Sequence, residues 1–211
     1  NFGNLFITAM ADVVGNFEKA VEEAGKVLSI RGRVLPVSLQ SVMLEAELQD
    51  KTTILGQTNI SRSETPIERL YLKPRSVKPS GAVLDALREA DAIIMGPGSL
   101  YTSIIPNLLV EGVADAIASS KALKIYVCNT MTQHGETDKY SASDHVNAII
   151  KHTNPRIIDY AIINFEEIPG GLLEKYKTEQ SGPVECDDEN LKKLGIRPVK
   201  TKILSFTDNV I

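Results

Sequence analysis

The second half of the sequence alternates short apolar runs with segments of helical periodicity. The runs ADAIIMG (90–96), LKIYVCN (123–129) and IIDYAIIN (157–164) have the apolar composition and bounding polar residues of buried strands. Apolar residues recur at three- and four-residue steps in the segments around them, which we predict to be helices: 81–91, 105–120, 142–152 and 172–180. This alternation predicts an α/β fold, Rossmann-like and doubly wound, with a mainly parallel sheet.

The first 73 residues follow a different pattern. Residues 4–28 have helical periodicity, which we expect to be interrupted near Gly15. Four short β-type runs then follow between residues 33 and 73, and they are separated by turn-prone residues: RVLPVSL, VMLEAEL, TTILGQT and IERLYL. We interpret this region as a small β-meander inserted in a single α/β domain that spans residues 1–211.

Composition narrows the class of protein. With 211 residues, of which 43% are apolar and 24% charged, the chain can bury the core of one domain. A net charge of -4 argues against a nucleic-acid partner, since no broad basic surface is available to neutralise phosphates. Cys128 and Cys186 are the only cysteines, which fits a reducing cytoplasm better than a disulfide framework. No apolar run approaches the roughly 18–20 residues of a membrane helix, so no membrane span is expected.

The first candidate site is the turn GPGSLYTS (96–103), which follows the first apolar run. In open α/β sheets, ligands bind beyond the carboxyl ends of the strands. The two glycines permit close approach of a ligand, and the next helix would present free N–H groups, so a phosphate or diphosphate could bind without lysine. Ser99, Thr102 and Ser103 would add hydroxyl donors. The same residue types are also common in ordinary turns and caps, so the pattern alone leaves both interpretations open.

The second candidate site is the polar loop 129–141, which follows the second apolar run. It exceeds the roughly two to six residues usual for such connections. Asn129 could hold a ligand hydroxyl, Glu136 and Asp138 could accept from sugar hydroxyls or bind a metal ion, and Tyr140 could stack or hydrogen-bond. The alternative is internal bracing, in which Glu136 accepts from backbone N–H groups. The sequence leaves these alternatives open.

Familiar catalytic signatures are missing from the sequence. It contains neither GxSxG nor GxxxxGK[ST], the motifs of serine hydrolases and P-loop nucleotidases. His134, His145 and His152 lack HxH or HExxH spacing, so no zinc site is expected, and the last two are predicted to lie at the surface or to pack helices. Lys121 and Lys124 bracket the start of the second apolar run and are predicted to face solvent.

Three runs, in this order, carry a resemblance to a known family: FGNLFITAM, ADAIIMGPGSLYTSIIPNLLVEGVADAI and KIYVCNTMTQHGETDKYSASDHV. They resemble the YvcK-like gluconeogenesis factors and, more distantly, the 2-phospho-L-lactate transferases (CofD). The resemblance implies a nucleotide-linked ligand, a UDP-sugar in YvcK-like members and a GDP-type phospholactate carrier in the transferases. It implies that the ligand-binding residues are Gly3, Asn4, Gly96, Gly98, Ser99, Leu100, Tyr101, Thr102, Ser103, Asn129, Met131, Thr132, Gly135, Glu136, Thr137, Asp138 and Tyr140.

Two details qualify the resemblance. Tyr140 looks like the tyrosine implicated in UDP-sugar binding, whereas His134 stands where proline is usual. Family members begin with a strand and a GGGTG-type loop, and about 100 residues of that kind have no counterpart here. We therefore expect the chain to be a fragment of a larger polypeptide, with part of the site outside it.

The resemblance implies two functions from different classes. One is a cytoplasmic, non-catalytic UDP-sugar-binding regulator, required for growth on gluconeogenic carbon sources and for cell shape and cell-wall maintenance. It needs no cofactor and has possible homo-oligomeric and regulatory protein partners. The other is a transferase that moves a phospho-substituent from a nucleotide diphosphate carrier, with Mg²⁺. A third alternative is a scaffold whose ligand site has decayed. We favour the first because the runs follow the YvcK-like pattern.

Overall fold

The computed structural model describes residues 2–204, without the side chain of Asn4. Helices and strands follow in the order α1 (Phe2–Val14), α2 (Phe17–Val27), β1 (Met43–Leu48), β2 (Thr53–Leu55), α3 (Gln57–Ile60), β3 (Ile67–Lys73), α4 (Gly81–Glu89), β4 (Ala92–Met95), a π-helix (Leu100–Ile104), α5 (Ile105–Leu108), α6 (Val113–Ser119), β5 (Leu123–Val127), α7 (Ala142–His152), β6 (Tyr160–Asn164), α8 (Gly170–Thr178), α9 (Asp188–Lys193) and β7 (Arg197–Thr201).

The main sheet is parallel, with the strand order β4-β5-β6-β7. Met95, Tyr126 and Ala161 form one row across its inner face and are at most 6% exposed. The predicted α/β class, with a parallel sheet and a small antiparallel insertion, is confirmed. No reversal of strand order occurs within residues 2–204. Because all four strands run the same way, the loops that follow them lie at one edge of the sheet.

The opposite face of this sheet is partly open. Side chains alternate between the two faces, and Ile94, Leu123 and Val199 on this side are 61%, 43% and 40% exposed. The row that begins with Ile94 and half-buried Ile125 continues in register to Tyr160 and Arg197, so it is apolar at the β4 and β5 end and polar at the β7 end. Parallel sheets ordinarily bury both faces. Residues 2–204 therefore cover one side of the sheet far better than the other.

The insertion is an antiparallel sheet of order β2-β1-β3, with β1 in the centre. In a meander each strand lies beside the next, so the meander prediction is wrong in strand order although the antiparallel pairing is right. The predicted strand at 33–39 does not form. Pro36 lacks an N–H for a ladder, and Ser80 N–H instead donates to Val37 O at 2.8 Å. This segment therefore runs beside residues 78–80.

Two helical regions depart from the sequence prediction. The predicted helix 105–120 is divided, because Gly112 has a φ of +75° and α6 begins after it. Before it, Ile104 N–H donates to Ser99 O at 3.0 Å, which is the five-residue spacing of a π-helix. No single helix in residues 2–204 is long and apolar enough to cross a membrane; Leu100–Leu108 and Val113–Ser119 meet that length and composition only as a pair bent by 77°.

Lys124 does not face solvent as predicted. Its position in β5 directs it to the covered side of the sheet, and it is 8% exposed. The ammonium donates to Ser120 O at 3.2 Å and lies 3.5 Å from Asp159 Oδ2. The backbone N–H of Lys124 donates to the same carboxylate at 2.9 Å. A long aliphatic stem lets a lysine be buried in this way while its charge remains paired.

His152 joins α7 to the small sheet. Its Nε2 accepts from Leu70 N–H at 2.8 Å, and its Nδ1 donates to Ala148 O at 2.6 Å. Burial lowers the pKa of His152, and the same is true of His145, so both rings favour the neutral form. The bond to Leu70 satisfies an N–H on the edge of β3 that faces away from β1. Both histidines therefore pack in the interior.

Replacing His152 by Ala should lower the free energy of unfolding by about 1–3 kcal/mol, because Leu70 N–H would be buried without a partner. The lowered pKa means that the neutral ring stabilises the fold. Its contribution is present above the ordinary histidine pKa of 6.5 and is lost as pH falls through the lower folded-state value. Urea unfolding near neutral pH and at acidic pH measures the difference between the two proteins, which should shrink in acid.

The control for this prediction is His134→Ala, since His134 lies on an exposed loop. Its cost should stay below about 1 kcal/mol at both pH values, the usual range for an exposed pair. Equal losses from the two substitutions would contradict the structural role of His152.

Candidate functional site

The two candidate loops lie side by side at the carboxyl edge of the sheet. The first loop (96–103) follows β4, and the second loop (129–141) follows β5. Gln133 Nε2 donates to Ser99 Oγ at 3.0 Å, and the hydroxyls of Tyr101 and Tyr140 are 2.9 Å apart. These two side-chain pairs bring the loops into direct contact.

Glu136, in the second loop, holds the first loop in place. Its Oε2 accepts from Tyr101 N–H at 3.1 Å and its Oε1 accepts from the Thr102 hydroxyl at 2.9 Å. The residue is 5% exposed, and burial raises the pKa of its carboxyl group. Of the two roles open for Glu136 from the sequence, this geometry corresponds to internal bracing.

Two glycines are required by close backbone contacts. Gly96 has a φ of +91°, and a Cβ there would lie 2.8 Å from Val127 O. Gly135 has a φ of +83°, and a Cβ there would lie 2.8 Å from Ser61 O in the insertion. Gly98 is different, because a Cβ on it would meet nothing closer than Ser103 Cβ at 3.4 Å. The fold itself therefore explains Gly96 and Gly135 but not Gly98.

Three successive N–H groups precede the π-helix without a partner. Gly98, Ser99 and Leu100 have no hydrogen-bond acceptor for their backbone N–H among residues 2–204. The next N–H, of Tyr101, is already bound by Glu136. Consecutive free N–H groups at the start of a helix are a common way to hold an anion.

A cavity of about 710 Å³, which we call the main cavity, is lined on the first-loop side by Pro97, the residue that precedes these N–H groups in the chain. It is lined by the first loop, the second loop, the end of α8 and the segment after β7: Pro97, Val127, Cys128, Asn129, Thr130, Met131, Thr132, Gln133, His134, Tyr176, Glu179, Ser181, Ile203 and Leu204. Among residues 2–204, this lining includes no lysine or arginine, and Glu179 is its one carboxylate. Polar contacts in the main cavity would therefore come mostly from neutral groups.

His134 and Asp138 form a pair at the main cavity. His134 Nδ1 lies 3.0 Å from Asp138 Oδ1, and Asp138 Oδ2 accepts from Gly135 N–H at 2.8 Å. Both oxygens of Asp138 and both oxygens of Glu136 thus bind protein donors, an arrangement that does not fit a Mg²⁺ site at these residues. Within residues 2–204 no group of three or more His, Cys, Asp or Glu side chains is arranged to hold a metal ion.

Tyr140 lines a second cavity, of about 520 Å³, which shares Thr132 with the main cavity. Its ring meets the His145 ring edge to face, with centroids 5.5 Å apart. Burial raises the pKa of the Tyr140 hydroxyl, which stays protonated and pairs with the Tyr101 hydroxyl. Tyr140 is thus fixed by the first loop on one side and by α7 on the other.

A family model described as 2-phospho-L-lactate transferase CofD matches residues 1–204. The chain belongs to the CofD family. Its relatives in that family include the gluconeogenesis factors of Halalkalibacterium halodurans and Bacillus subtilis, each 42% identical over 211 residues and over all of this chain. The chain spans 66% of the first relative's length and 67% of the second's. The resemblance noted in the sequence is confirmed.

Solved structures of CofD-family proteins agree with the fold. The crystal structure of a member of the UPF0052 family from Bacillus halodurans matches with a TM-score of 0.95 and 42% identity. The match covers all of this chain and 68% of that one. The parallel sheet, the insertion and the two loops therefore belong to an architecture shared at high sequence identity.

The predicted site residues separate into groups. Asn129, Met131 and Thr132 line the main cavity, and Asp138 and Tyr140 line the second one. Other predicted residues support the loops through buried side chains or backbone bonds: Leu100, Tyr101, Thr102, Ser103, Gly135, Glu136 and Thr137.

Gly96, Gly98 and Ser99 lie in the first loop as described above, and two further predicted residues, Gly3 and Asn4, lie near the start of the chain. Gly3 lies in the first turn of α1 and is exposed, and no described hydrogen bond joins it to either loop. The side chain of Asn4 lies outside the described residues. A ligand role for these residues stays a prediction.

Some lining residues were not predicted. Gln133 and His134 lie inside the second loop, and the amide Oε1 of Gln133 is buried without a partner. The end of α8 reaches the main cavity because Thr132 N–H donates to Gly182 O at 2.7 Å and Gly182 N–H donates to Thr132 Oγ1 at 2.9 Å. No local pattern in the sequence indicates that long-range contact.

Gly96→Ala should lower the free energy of unfolding by about 1–3 kcal/mol or more, since the backbone conformation would be strained and the Cβ would contact Val127 O. Gly98→Ala should change it by less than about 1 kcal/mol, because the added methyl has room. Chemical unfolding of the two variants measures this. Equal costs at the two positions would contradict the division of roles between the two glycines.

Glu136→Ala should cost about 1–3 kcal/mol by leaving Tyr101 N–H unpaired. Glu136→Gln should be milder, because its amide oxygen still accepts from that N–H. The raised pKa of Glu136 means that the protonated form favours the fold, a contribution present below the ordinary value of 4.5 and lost as pH rises through the folded-state value. As pH rises from acidic to neutral, the free energy of unfolding of Glu136→Gln should therefore increase relative to that of the wild type.

One result would contradict the role of Glu136 in holding the first loop. A Gln variant as unstable as the Ala variant at every pH would show that the charge and the buried environment of Glu136 do not determine its contribution.

Proposed function

We propose that this chain is the ligand-binding body of a cytoplasmic regulatory protein that binds a UDP-sugar in the main cavity. The observation that carries the proposal is the set of three unpartnered N–H groups, at Gly98, Ser99 and Leu100, in the loop whose Pro97 lines a cavity at the carboxyl edge of a parallel sheet. Nucleotide phosphates bind at this place in many α/β folds.

The size and lining of the main cavity support a ligand of this kind. Its volume of about 710 Å³ lies within the roughly 300–1,000 Å³ of small-molecule sites. The phosphates would bind the free N–H groups of the first loop. Asn129 and Gln133 offer amide groups for hydroxyls, and Tyr176 offers an aromatic ring for stacking.

The names of the relatives support a regulatory role. Proteins 42% identical to this chain are named gluconeogenesis factors, whereas the transferase name belongs to the family as a whole. We propose that the protein acts in growth on gluconeogenic carbon sources and in maintaining cell shape or the cell wall. Cys128 and Cys186 are free thiols, which fits a reducing cytoplasm.

The family description favours one second candidate, a transferase. Such an enzyme would move a phospho-substituent from a nucleotide diphosphate carrier to an acceptor hydroxyl. Phosphoryl chemistry depends mainly on positioning and electrostatics, so the loops described above would serve it equally well.

Calorimetric titration of the purified protein with UDP-N-acetylglucosamine, UDP and GDP, followed by product analysis, separates these functions. The proposal predicts saturable binding of the UDP-sugar, weaker binding of GDP and an unchanged ligand. Metal-dependent release of a nucleoside monophosphate would establish the transferase instead. If none of the three compounds binds, both the proposed function and the transferase would be contradicted, and the scaffold would be the remaining alternative.

Tyr140→Ala should weaken UDP-sugar binding by about threefold to tenfold, or ~0.7–1.4 kcal/mol, because the first loop loses the hydroxyl partner of Tyr101. Tyr140→Phe removes that hydrogen bond and keeps the ring, so it isolates the hydroxyl. The control is Tyr71→Ala, on the outer face of the small sheet, where Arg75 stacks at 3.8 Å. Unchanged affinity in Tyr140→Ala, measured by calorimetry, would remove Tyr140 from the site.

A further inference from the structure

Within the described part of the chain, residues 2–204, His134 is the one side chain lining the main cavity that can carry a positive charge. The cavity lies in a chain whose net charge is -4. Its lining contributes neutral groups and the carboxylate of Glu179, and it includes no lysine or arginine. A phosphate-bearing ligand in this cavity would therefore find a single ionisable group able to balance its charge.

The imidazole is oriented by a carboxylate that is itself held in place. Asp138 accepts from Gly135 N–H at 2.8 Å through Oδ2 and pairs with His134 Nδ1 through Oδ1 at 3.0 Å. The Nε2 atom of His134 has no described partner. A carboxylate at Nδ1 fixes the orientation of the ring, and an imidazolium held in this way has Nε2–H free to donate to an anion.

We propose that His134 binds a phosphate oxygen of the ligand through Nε2–H and thereby couples ligand binding to uptake of a proton. The proposal rests on the proposed function, since it assigns the charge partner of the phosphates in the same cavity. An anionic ligand favours the imidazolium form. By linkage, the ligand then binds more tightly at a pH where the imidazolium is populated.

The other ionisable groups that pair with His134 or line the main cavity among residues 2–204 do not supply this coupling. Asp138 from the second loop and Glu179 near the end of α8 contribute negative charge, and Tyr176 and Cys128 are neutral. Burial raises the pKa of the Cys128 thiol to about 12. None of these four side chains can provide a positive charge to the ligand.

The test is calorimetric titration of the protein with UDP-N-acetylglucosamine between about pH 5.5 and about pH 8.5, the range in which histidine changes charge. Each phosphate of this compound carries one ester bond and one anhydride bond, so neither has the second ionisation that a phosphate monoester shows near about pH 6. Affinity should fall by about threefold to fivefold across the range, the strength of a partly exposed charge pair. Buffers of different ionisation enthalpy should report proton uptake on binding.

Matched variants separate His134 from a general charge effect. His134→Gln should retain binding and lose both the pH dependence and the proton uptake, and Asp138→Asn should reduce both. Lys139→Gln removes a positive charge from the same loop at an exposed residue that does not line the main cavity, so it should keep the wild-type pH profile. Urea unfolding confirms that each variant is folded.

The outcomes distinguish this inference from the function on which it rests. If UDP-N-acetylglucosamine binds with an affinity independent of pH, or if His134→Gln keeps the wild-type profile, the role of His134 is overturned and the UDP-sugar function stands. If the ligand does not bind at any pH, the proposed function fails and this inference fails with it.

Discussion

The buried carboxylate of Glu136 is the contact on which the geometry of the site depends. It binds a backbone N–H and a hydroxyl of the first loop while it belongs to the second, so neither loop has an independent position. The carboxylate also occupies the anion-binding place at Tyr101 N–H. In the proposed function, an external phosphate would bind one step back along the chain, at the free N–H groups of Gly98, Ser99 and Leu100. Internal bracing and the proposed ligand binding would then use adjacent donors of the same turn.

The inserted sheet supports the same loops. Gly135 in the second loop approaches Ser61 O so closely that no side chain fits between them, and His152 in α7 accepts from Leu70 in β3. The Tyr101 ring meets the His152 ring edge to face, at 5.9 Å between centroids. The first loop, α7 and the insertion are therefore joined by direct contacts. A change in the insertion would reach the site through packing, because close-packed interiors transmit displacement.

The sequence predicts the parallel sheet and the proximity of the loops, because both follow from local patterns. Three apolar runs identify β4, β5 and β6, and parallel strands necessarily place their following loops at one edge. The hydrogen-bond partners of individual residues, in contrast, do not follow from local patterns. That Glu136 binds Tyr101 N–H, or that Gly182 pairs with Thr132, depends on three-dimensional packing that no spacing in the sequence records. β7 was missed because Pro198 interrupts its pattern, and an edge strand tolerates a proline.

The net charge of -4 does not decide whether an anion can bind here. Charges spread over the surface are screened over about 8–10 Å at ordinary ionic strength, whereas N–H donors act at about 3 Å in a partly dry cleft. Local donors therefore outweigh the overall field. In a site built from backbone N–H groups and one imidazole, the protonation state of that imidazole becomes the main electrostatic variable. A site lined with lysines would depend instead on salt concentration, since its charge would stay fixed across the physiological pH range.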